Sequence, residues 1–268
     1  MEIQTPARLT ALGHPQRLAL FRLLVRRYPD RVAAGELSEA LGLKPSTCSA
    51  YLAALMQAGL VTQTRAGTSL RYSIAMEAVR ETVDHLLLDC CRGRPEICAP
   101  PAPAGPANRD GRYRVLFLCT GNSARSILAE AILRQRAGAR FEVQSAGTHP
   151  RAAPDPQALA LLRDAGHDLA PLRSKPVAEV RGPGAPVFDI VLTVCDRAAN
   201  EDCPAWPGRP LSAHWGIPAP GGTPGAIRAA HDALQARIRA LVALPLDTLD
   251  RPALQRPLDD IGQGRMPA

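Results

Sequence analysis

Cys119 and Arg125 stand six positions apart, with Thr120, Gly121, Asn122, Ser123 and Ala124 between them and Ser126 directly after. Small and polar residues of this kind suit a tight loop. The four apolar residues before the cysteine, Val115 to Leu118, read as a buried parallel strand. Ile127 to Leu133 has helical spacing. Cys119 therefore falls on a strand-to-helix loop. Loop amides at a helix N-terminus make an anion cradle, and a planar guanidinium clamps two oxyanion oxygens. The same field is expected to depress the thiol pKa and leave a thiolate nucleophile. Ser126 is placed to donate a hydrogen bond to that thiolate. The oxyanion-binding set predicted here is residues 120–125, with Cys119, Arg125 and Ser126 catalytic.

The elements that must hold this loop need room. A chain of 268 residues is long enough for about two domains. Its net charge of +7 suits an anionic partner such as nucleic acid. Aromatic residues make up only 4%, which argues against stacking platforms for single strands. The sequence lacks an apolar run of membrane-spanning length and opens with no secretory leader, so a cytoplasmic protein with no membrane partner is expected. The seven cysteines are an odd number. That favours metal, metalloid or redox chemistry over a disulfide framework.

In the first part of the chain, two helical patterns over residues 5–28 break at Gly13-His14-Pro15. A short helix at 34–41 ends at Gly42, and another opens around Pro45, with Ser46 as the expected N-cap. Ser46, Thr47, Ser49 and Tyr51 lie near the start of this second helix, where a recognition helix meets base edges. Two alternating runs, 60–65 and 69–74, flank Ala66-Gly67-Thr68 as a hairpin. Arg65 and Arg71 are candidates for phosphate contacts. Together these elements predict a winged helix-turn-helix. Gly13-His14-Pro15-Gln16-Arg17-Leu18, Ser46 to Leu52 and Leu55 to Val61 resemble the ArsR-type metalloregulatory repressors. That resemblance implies a homodimer, paired through this domain, that leaves operator double-stranded DNA on binding a metal or metalloid.

Cys90, Cys91 and Cys98 follow, around Gly93 and Pro95. Three soft thiolates suit As(III) or Sb(III), while zinc wants four ligands and would find a fourth in His85. The triad resembles the C-terminal three-cysteine site of one branch of arsenite-sensing repressors. Cys48 is read as core packing. Residues 99–112, rich in Pro and Ala, read as a semi-extended linker.

Beyond the loop, strands at 141–148 and 188–195 alternate with helices at 158–162 and 226–244. This pattern predicts an α/β domain, a parallel sheet flanked by helices. Cys119 and Cys195 each close a strand, so both can face one crevice at the strands' carboxyl ends. The loop resembles that of low-molecular-weight tyrosine phosphatases and the related thiol-dependent arsenate reductases. Thr193 to Asp196, Cys203 to Gly208, Ala213 to Pro218, Ser145 to Pro150 and Leu172 to Lys175 look like the reductases. A reductase must supply two electrons per turnover, and Cys195 and Cys203 offer thiols for it. The resemblance implies attack by Cys119 on arsenate and release of arsenite. The second thiol is either Cys195, with transfer to Cys203 and thioredoxin, or glutathione or another small thiol with glutaredoxin-type recycling. No tightly bound cofactor is expected.

One departure stands out. The family carries an Asp-Pro after its His-Trp-Gly stretch, and that Asp protonates the leaving oxygen. Here the residues are Pro218-Ala219-Pro220. Loss of a general acid costs about 10²–10⁴-fold in rate. His214 and Asp232 are the candidate substitutes. A weak oxyanion-binding domain and a tyrosine phosphatase remain alternatives to a reductase. The predicted layout is residues 1–98 for DNA binding, 99–112 as linker, 113–250 as the phosphatase-like domain and 251–268 as a tail that carries one short amphipathic helix.

Overall fold

The computed structural model of the protein describes residues 4–91, 111–182, 184–201, 206–221, 223–249 and 251–265. The chain divides into two compact units, Met1–Ala102 and Pro103–Ala268. Cys98, Cys203 and all but the last two residues of the expected linker lie outside the described residues.

The first unit runs α1 (Thr5–Leu12), α2 (Pro15–Arg26), β1 (Val32–Ala33), α3 (Ala34–Ala40), α4 (Pro45–Gln57), β2 (Val61–Ala66), β3 (Ser69–Ile74) and α5 (Met76–Asp84), which continues as a π-turn over His85–Cys90. Leu20, Leu23 and Leu24 of α2, Leu37 of α3 and Leu52 and Leu55 of α4 meet Tyr72 and Ile74 of the hairpin in one core. Cys48 is buried in that core, and burial pushes its thiol up. Gly42, at φ +62°, follows the last turn of α3 as the left-handed residue that closes a helix. One local expectation is corrected. Pro45 begins α4 and Lys44 is its N-cap, without a side-chain bond, so Ser46 lies inside the first turn. Proline is favoured there because that turn's N–H groups have no helical partner. The wing gains a strand too short to announce itself, since β1 pairs with β3 through Val32 and Tyr72.

The second unit runs β4 (Tyr113–Cys119), α6 (Arg125–Ala137), β5 (Phe141–Gly147), α7 (Pro156–Asp164), a 3₁₀ turn (Val177–Val180), β6 (Ile190–Thr193), α8 (Asp196–Asn200), β7 (Leu211–His214), α9 (Pro224–Ala243) and α10 (Arg251–Gly262). Its four strands lie in the order β5-β4-β6-β7, all parallel. The chain leaves β4 to one side for β5 and returns on the other for β6. The carboxyl ends of β4 and β6 therefore flank the switch point, where sheets of this kind bind ligands. Side chains of β4 alternate between the faces. Val115, Phe117 and Cys119 join the larger core, with α6, α9 and α10. Leu116 and Leu118 join the smaller one, with Val180 and Phe188.

The C-terminal helix is no tail. Leu254, Leu258 and Ile261 of α10 belong to the larger core, and the Trp215 indole N–H donates to the Leu258 carbonyl at 3.0 Å. A Cβ at Gly262 would come within 2.4 Å of the His214 carbonyl oxygen, so glycine permits the close approach. The domain extends through this helix.

Candidate active site

The loop after β4 is held from outside by its carbonyls. Those of Cys119, Thr120, Gly121 and Ser123 accept from the backbone N–H groups of Thr148, His149, Arg151 and Asp155, at 3.1, 2.9, 2.8 and 2.8 Å. The Asn122 carbonyl accepts from Ser174 Oγ at 2.7 Å. The Ala124 carbonyl accepts from Leu128 N at 2.8 Å, inside α6. In a trans peptide the carbonyl and the next N–H point oppositely. Six carbonyls drawn away from the loop's centre leave the N–H groups of residues 120–125 facing it. One of them is seen to do so, since Asn122 N donates to Cys119 Sγ at 3.0 Å. Inward N–H groups at the start of a helix are an arrangement that can hold an anion.

Asn122 organises the floor. It is fully buried and sits at φ +40°, a region where Asn is tolerated better than most side chains. Its Nδ2 donates to Ser126 Oγ at 2.9 Å and to Ser145 Oγ at 2.8 Å. Its Oδ1 accepts from Lys175 N at 2.8 Å. Ser145 Oγ donates to Glu130 Oε2 at 2.5 Å. Glu130, 1% exposed, also pairs with Arg134 at 2.5 Å and Lys175 at 3.6 Å. Burial lowers the pKa of that lysine against the pull of Glu130. Ser126 Oγ lies 3.0 Å from Cys119 Sγ. A thiolate only accepts, so in that state Ser126 is the donor.

Gly147 closes the back of the loop. A Cβ there would lie 2.7 Å from the Thr120 carbonyl oxygen and 2.9 Å from Asn122 Cβ. The Arg151 side chain runs past Gly121, with Cγ 3.6 Å from where a Cβ would stand. Sequence reasoning assigned no site role to Glu130, Ser145, Lys175, Gly147 or Arg151. Glu130 had a signal, because a lone carboxylate inside an otherwise apolar helix needs partners.

The thiol itself corrects an expectation. Cys119 is 3% exposed, and burial pushes its pKa up rather than down. Ser126, the Asn122 N–H and Arg125 pull the other way, while Cys195 adds to the rise. Burial outweighs them. Arg125 contributes least of the three lowering groups, and its Nη1 donates to the Ile217 carbonyl at 2.9 Å.

Cys195 lies just beyond β6 and is buried. Both it and Cys119 are free thiols. Its Sγ is 3.5 Å from Thr120 Oγ1, within the loop, and accepts from Ala198 N at 3.4 Å at the start of α8. The carbonyl that holds Arg125 belongs to Ile217, two residues before Ala219. The His214 side chain is fully buried. Its Nδ1 pairs with Thr193 Oγ1 at 2.8 Å and its Nε2 with Asp196 Oδ1 at 3.1 Å, so both ring nitrogens are occupied. Asp232 bonds its neighbour His231 at 3.0 Å.

Residues 114–246 match the sequence family described as low molecular weight phosphotyrosine protein phosphatase. An arsenate reductase of Bacillus licheniformis is 35% identical over 107 residues, which cover 40% of this chain and 73% of that protein. The chain belongs to this phosphatase and arsenate reductase family. Arsenate reductase 1 of Bacillus cereus is 30% identical over 131 residues, 48% of this chain and 94% of the relative. A crystal structure of arsenate reductase from Archaeoglobus fulgidus shares 30% identity, covering 48% of this chain and 99% of that one, with a TM-score of 0.41. Residues 12–64 match a helix-turn-helix domain, so the family domain is joined to a DNA-binding fold.

In that fold Ser46 and Ser49 are exposed and Thr47 is half-buried. Ser49 Oγ donates to the Pro45 carbonyl at 2.9 Å. Tyr51 packs against the His14 ring, centroids 4.9 Å apart. Arg65 and Arg71 are both exposed. Arg65 pairs across the hairpin with Leu70 and Arg71 with Thr64, so the two point to opposite faces of the ribbon. Cys90 is exposed and Cys91 half-buried at the end of the π-turn. Among the described residues no helix is long and apolar enough to cross a membrane.

Proposed function

We propose that the C-terminal domain reduces arsenate to arsenite. The observation that carries this reading is the free Cys195 thiol, 3.5 Å from Thr120 in the nucleophile's own loop. Arsenate sits on the inward amides of residues 120–125, with the Arg125 guanidinium across its oxygens. Cys119 carries its proton until the substrate arrives. Arsenate dianion accepts that proton, the Cys119 sulfur attacks arsenic, and an oxygen leaves as water to give a Cys119–S–As(V) adduct. Proton donation by the thiol supplies part of what Ala219 lacks. Cys195 sulfur then attacks Cys119 sulfur. The S–As bond breaks, its electron pair reduces As(V) to As(III), and a Cys119–Cys195 disulfide remains. Cys203 and an external dithiol such as thioredoxin reset it. Glutathione or another small thiol in place of Cys195 is the alternative second step.

The N-terminal unit is proposed to be an ArsR-type repressor that dimerises and binds operator DNA through Ser46, Thr47, Ser49 and Tyr51, with Arg65 and Arg71 on phosphates. As(III) or Sb(III) on Cys90, Cys91 and Cys98 re-aims the end of α5 and releases the DNA. Both halves act in the cytoplasm.

Arsenite formation from arsenate by the purified chain, supplied with thioredoxin or with glutathione and glutaredoxin, tests the enzyme. Cys119→Ser is expected to abolish it. No arsenite with either reductant would overturn the proposal. Ala219 favours a second reading, in which the domain binds oxyanions and turns over slowly. Ala219→Asp separates the two, because a restored acid is expected to raise kcat by at least about tenfold. A p-nitrophenyl phosphate assay tests for phosphatase activity, and a gel shift with arsenite, antimonite and Zn(II) tests the repressor.

A further inference from the structure

Cys195 is carried on a short turn between two anchors, and one side chain holds both. β6 ends at Thr193 and α8 begins at Asp196, so Val194 and Cys195 alone link the strand to the helix. Thr193 and His214 are the last pair in the parallel register of β6 and β7. Thr193 Oγ1 lies 2.8 Å from His214 Nδ1, and Asp196 Oδ1 lies 3.1 Å from Nε2. A carboxylate only accepts, so Nε2 carries the hydrogen, and in the neutral ring Nδ1 accepts from the Thr193 hydroxyl. The imidazole therefore bridges a residue before the thiol and a residue after it. Gly216 leaves the room for this. A Cβ there would stand 2.8 Å from Asp196 Oδ1 and 2.9 Å from His214 Nε2. Helix α8 has five residues, too few to hold its place by its own hydrogen bonds.

We propose that His214 is a positioning residue for Cys195: by bridging Thr193 and Asp196, it fixes the turn that aims the second thiol at the Cys119 loop. The role rests on the reductase reading above, in which Cys195 attacks Cys119 sulfur. The thiol so held lies 3.5 Å from Thr120 Oγ1. Val194 N donates to the Leu118 carbonyl at 2.8 Å, which joins the turn to the strand that ends in Cys119. A misplacement of about 1 Å costs an oriented reaction about a hundredfold. Freeing either side of the turn therefore lowers the effective concentration of Cys195 toward Cys119.

The test needs no arsenate. The full chain, carrying Cys203→Ser to leave Cys195 one partner, is equilibrated with reduced and oxidised glutathione. Oxidised glutathione takes the two electrons and two protons of the thiol pair, which leaves a Cys119–Cys195 disulfide and two reduced glutathiones. The disulfide fraction, mapped by mass spectrometry, gives the effective concentration. His214→Ala, Asp196→Ala, Thr193→Val and Gly216→Ala, which drives a Cβ between His214 and Asp196, are each expected to lower it at least about tenfold. Asp196→Asn, whose amide oxygen still accepts from Nε2, and Thr193→Ser are expected to stay within about threefold of the parent. Phosphate affinity, read by calorimetry, is expected to hold in all of them. A histidine that only fills the core would alter the stability of both redox forms alike and leave their ratio unmoved. Should His214→Ala fail to fold, Asp196→Ala decides, because that side chain is 57% exposed. Parent ratios in Asp196→Ala and Gly216→Ala would overturn the proposal. So would an equal loss in Asp196→Asn, or a matching loss of phosphate affinity, which would place the effect in the loop. The reductase reading fails separately, when the parent shows the disulfide equilibrium and the wild-type chain makes no arsenite.

Discussion

Replacing Asn122 by alanine removes three hydrogen bonds at once, two donated by Nδ2 and one accepted by Oδ1. Each is worth about 1 kcal/mol net, and the Lys175 N–H left buried without its acceptor costs about 1–3 kcal/mol. Alanine at φ +40° adds about 1 kcal/mol that asparagine largely avoids. The two donated bonds, the unpaired N–H and the strain together come to about 4–6 kcal/mol, a large share of a domain's stability. Both tryptophans of the chain, Trp206 and Trp215, belong to the second unit, so urea unfolding followed by their fluorescence reports on that unit alone. Asn122→Gly loses the same bonds without the φ strain and should be about 1 kcal/mol more stable than Asn122→Ala. A loss below about 1.5 kcal/mol in Asn122→Ala would refute the view that this side chain organises the loop. Equal stability of the two variants would refute the strain contribution.

Other perturbations reach the same site from different sides. Gly147→Ala forces a Cβ to within 2.7 Å of the Thr120 carbonyl oxygen, so arsenate or phosphate affinity, read by calorimetry, should fall at least about tenfold with the fold retained. Ser126→Ala removes the strongest contribution that lowers the Cys119 pKa. The pH profile of iodoacetamide labelling at Cys119 should therefore move to higher pH, and an unmoved profile would contradict the assigned bond. Asp259 on α10 is held at about 7 by burial, with Gln255 lowering and Asp260 raising it. Its folded pKa exceeds the ordinary 3.8, so the second unit should lose stability as pH rises from about 4 to about 7 and stay lower above that. Asp259→Asn should remove that dependence, stabilising by about 1–2 kcal/mol at pH 8 and by nothing at pH 3, as measured by urea unfolding at both pH values.

What could be read in the sequence was mostly local. Cys119, Arg125 and the residues between them carry their chemistry within one loop, and the apolar runs on either side state that a strand precedes and a helix follows. The helix-turn-helix is equally local, with Gly42 and the Gly67 turn marking its breaks. The scaffold behind the loop is not local. Thr148, His149, Arg151, Asp155 and Ser174 hold the loop carbonyls from 29 or more positions away, and Ser145 and Lys175 meet the Asn122 side chain from 23 and 53 positions away. Glu130, set among Ile127 to Leu133, signals a buried carboxylate, but its partners Ser145 and Lys175 lie far along the chain. β7 was missed because four residues directly after Pro210 give too short an alternation. α10 falls in a stretch where Pro and polar residues dominate, yet Pro257 sits inside one continuous helix whose apolar face packs into the core. The thiol's raised pKa depends on burial, which the loop sequence does not state.

The central claim is that Cys119 and Cys195 together deliver two electrons to one arsenate. Single turnover measures this directly. The fully reduced chain is mixed with arsenate in the absence of any external thiol, arsenite is quantified, and the disulfide is mapped by mass spectrometry. Up to one arsenite per chain is expected, with a Cys119–Cys195 disulfide or its transfer product with Cys203, and none from Cys195→Ser. Arsenite from Cys195→Ser at the wild-type rate, or none from the wild type, would contradict it.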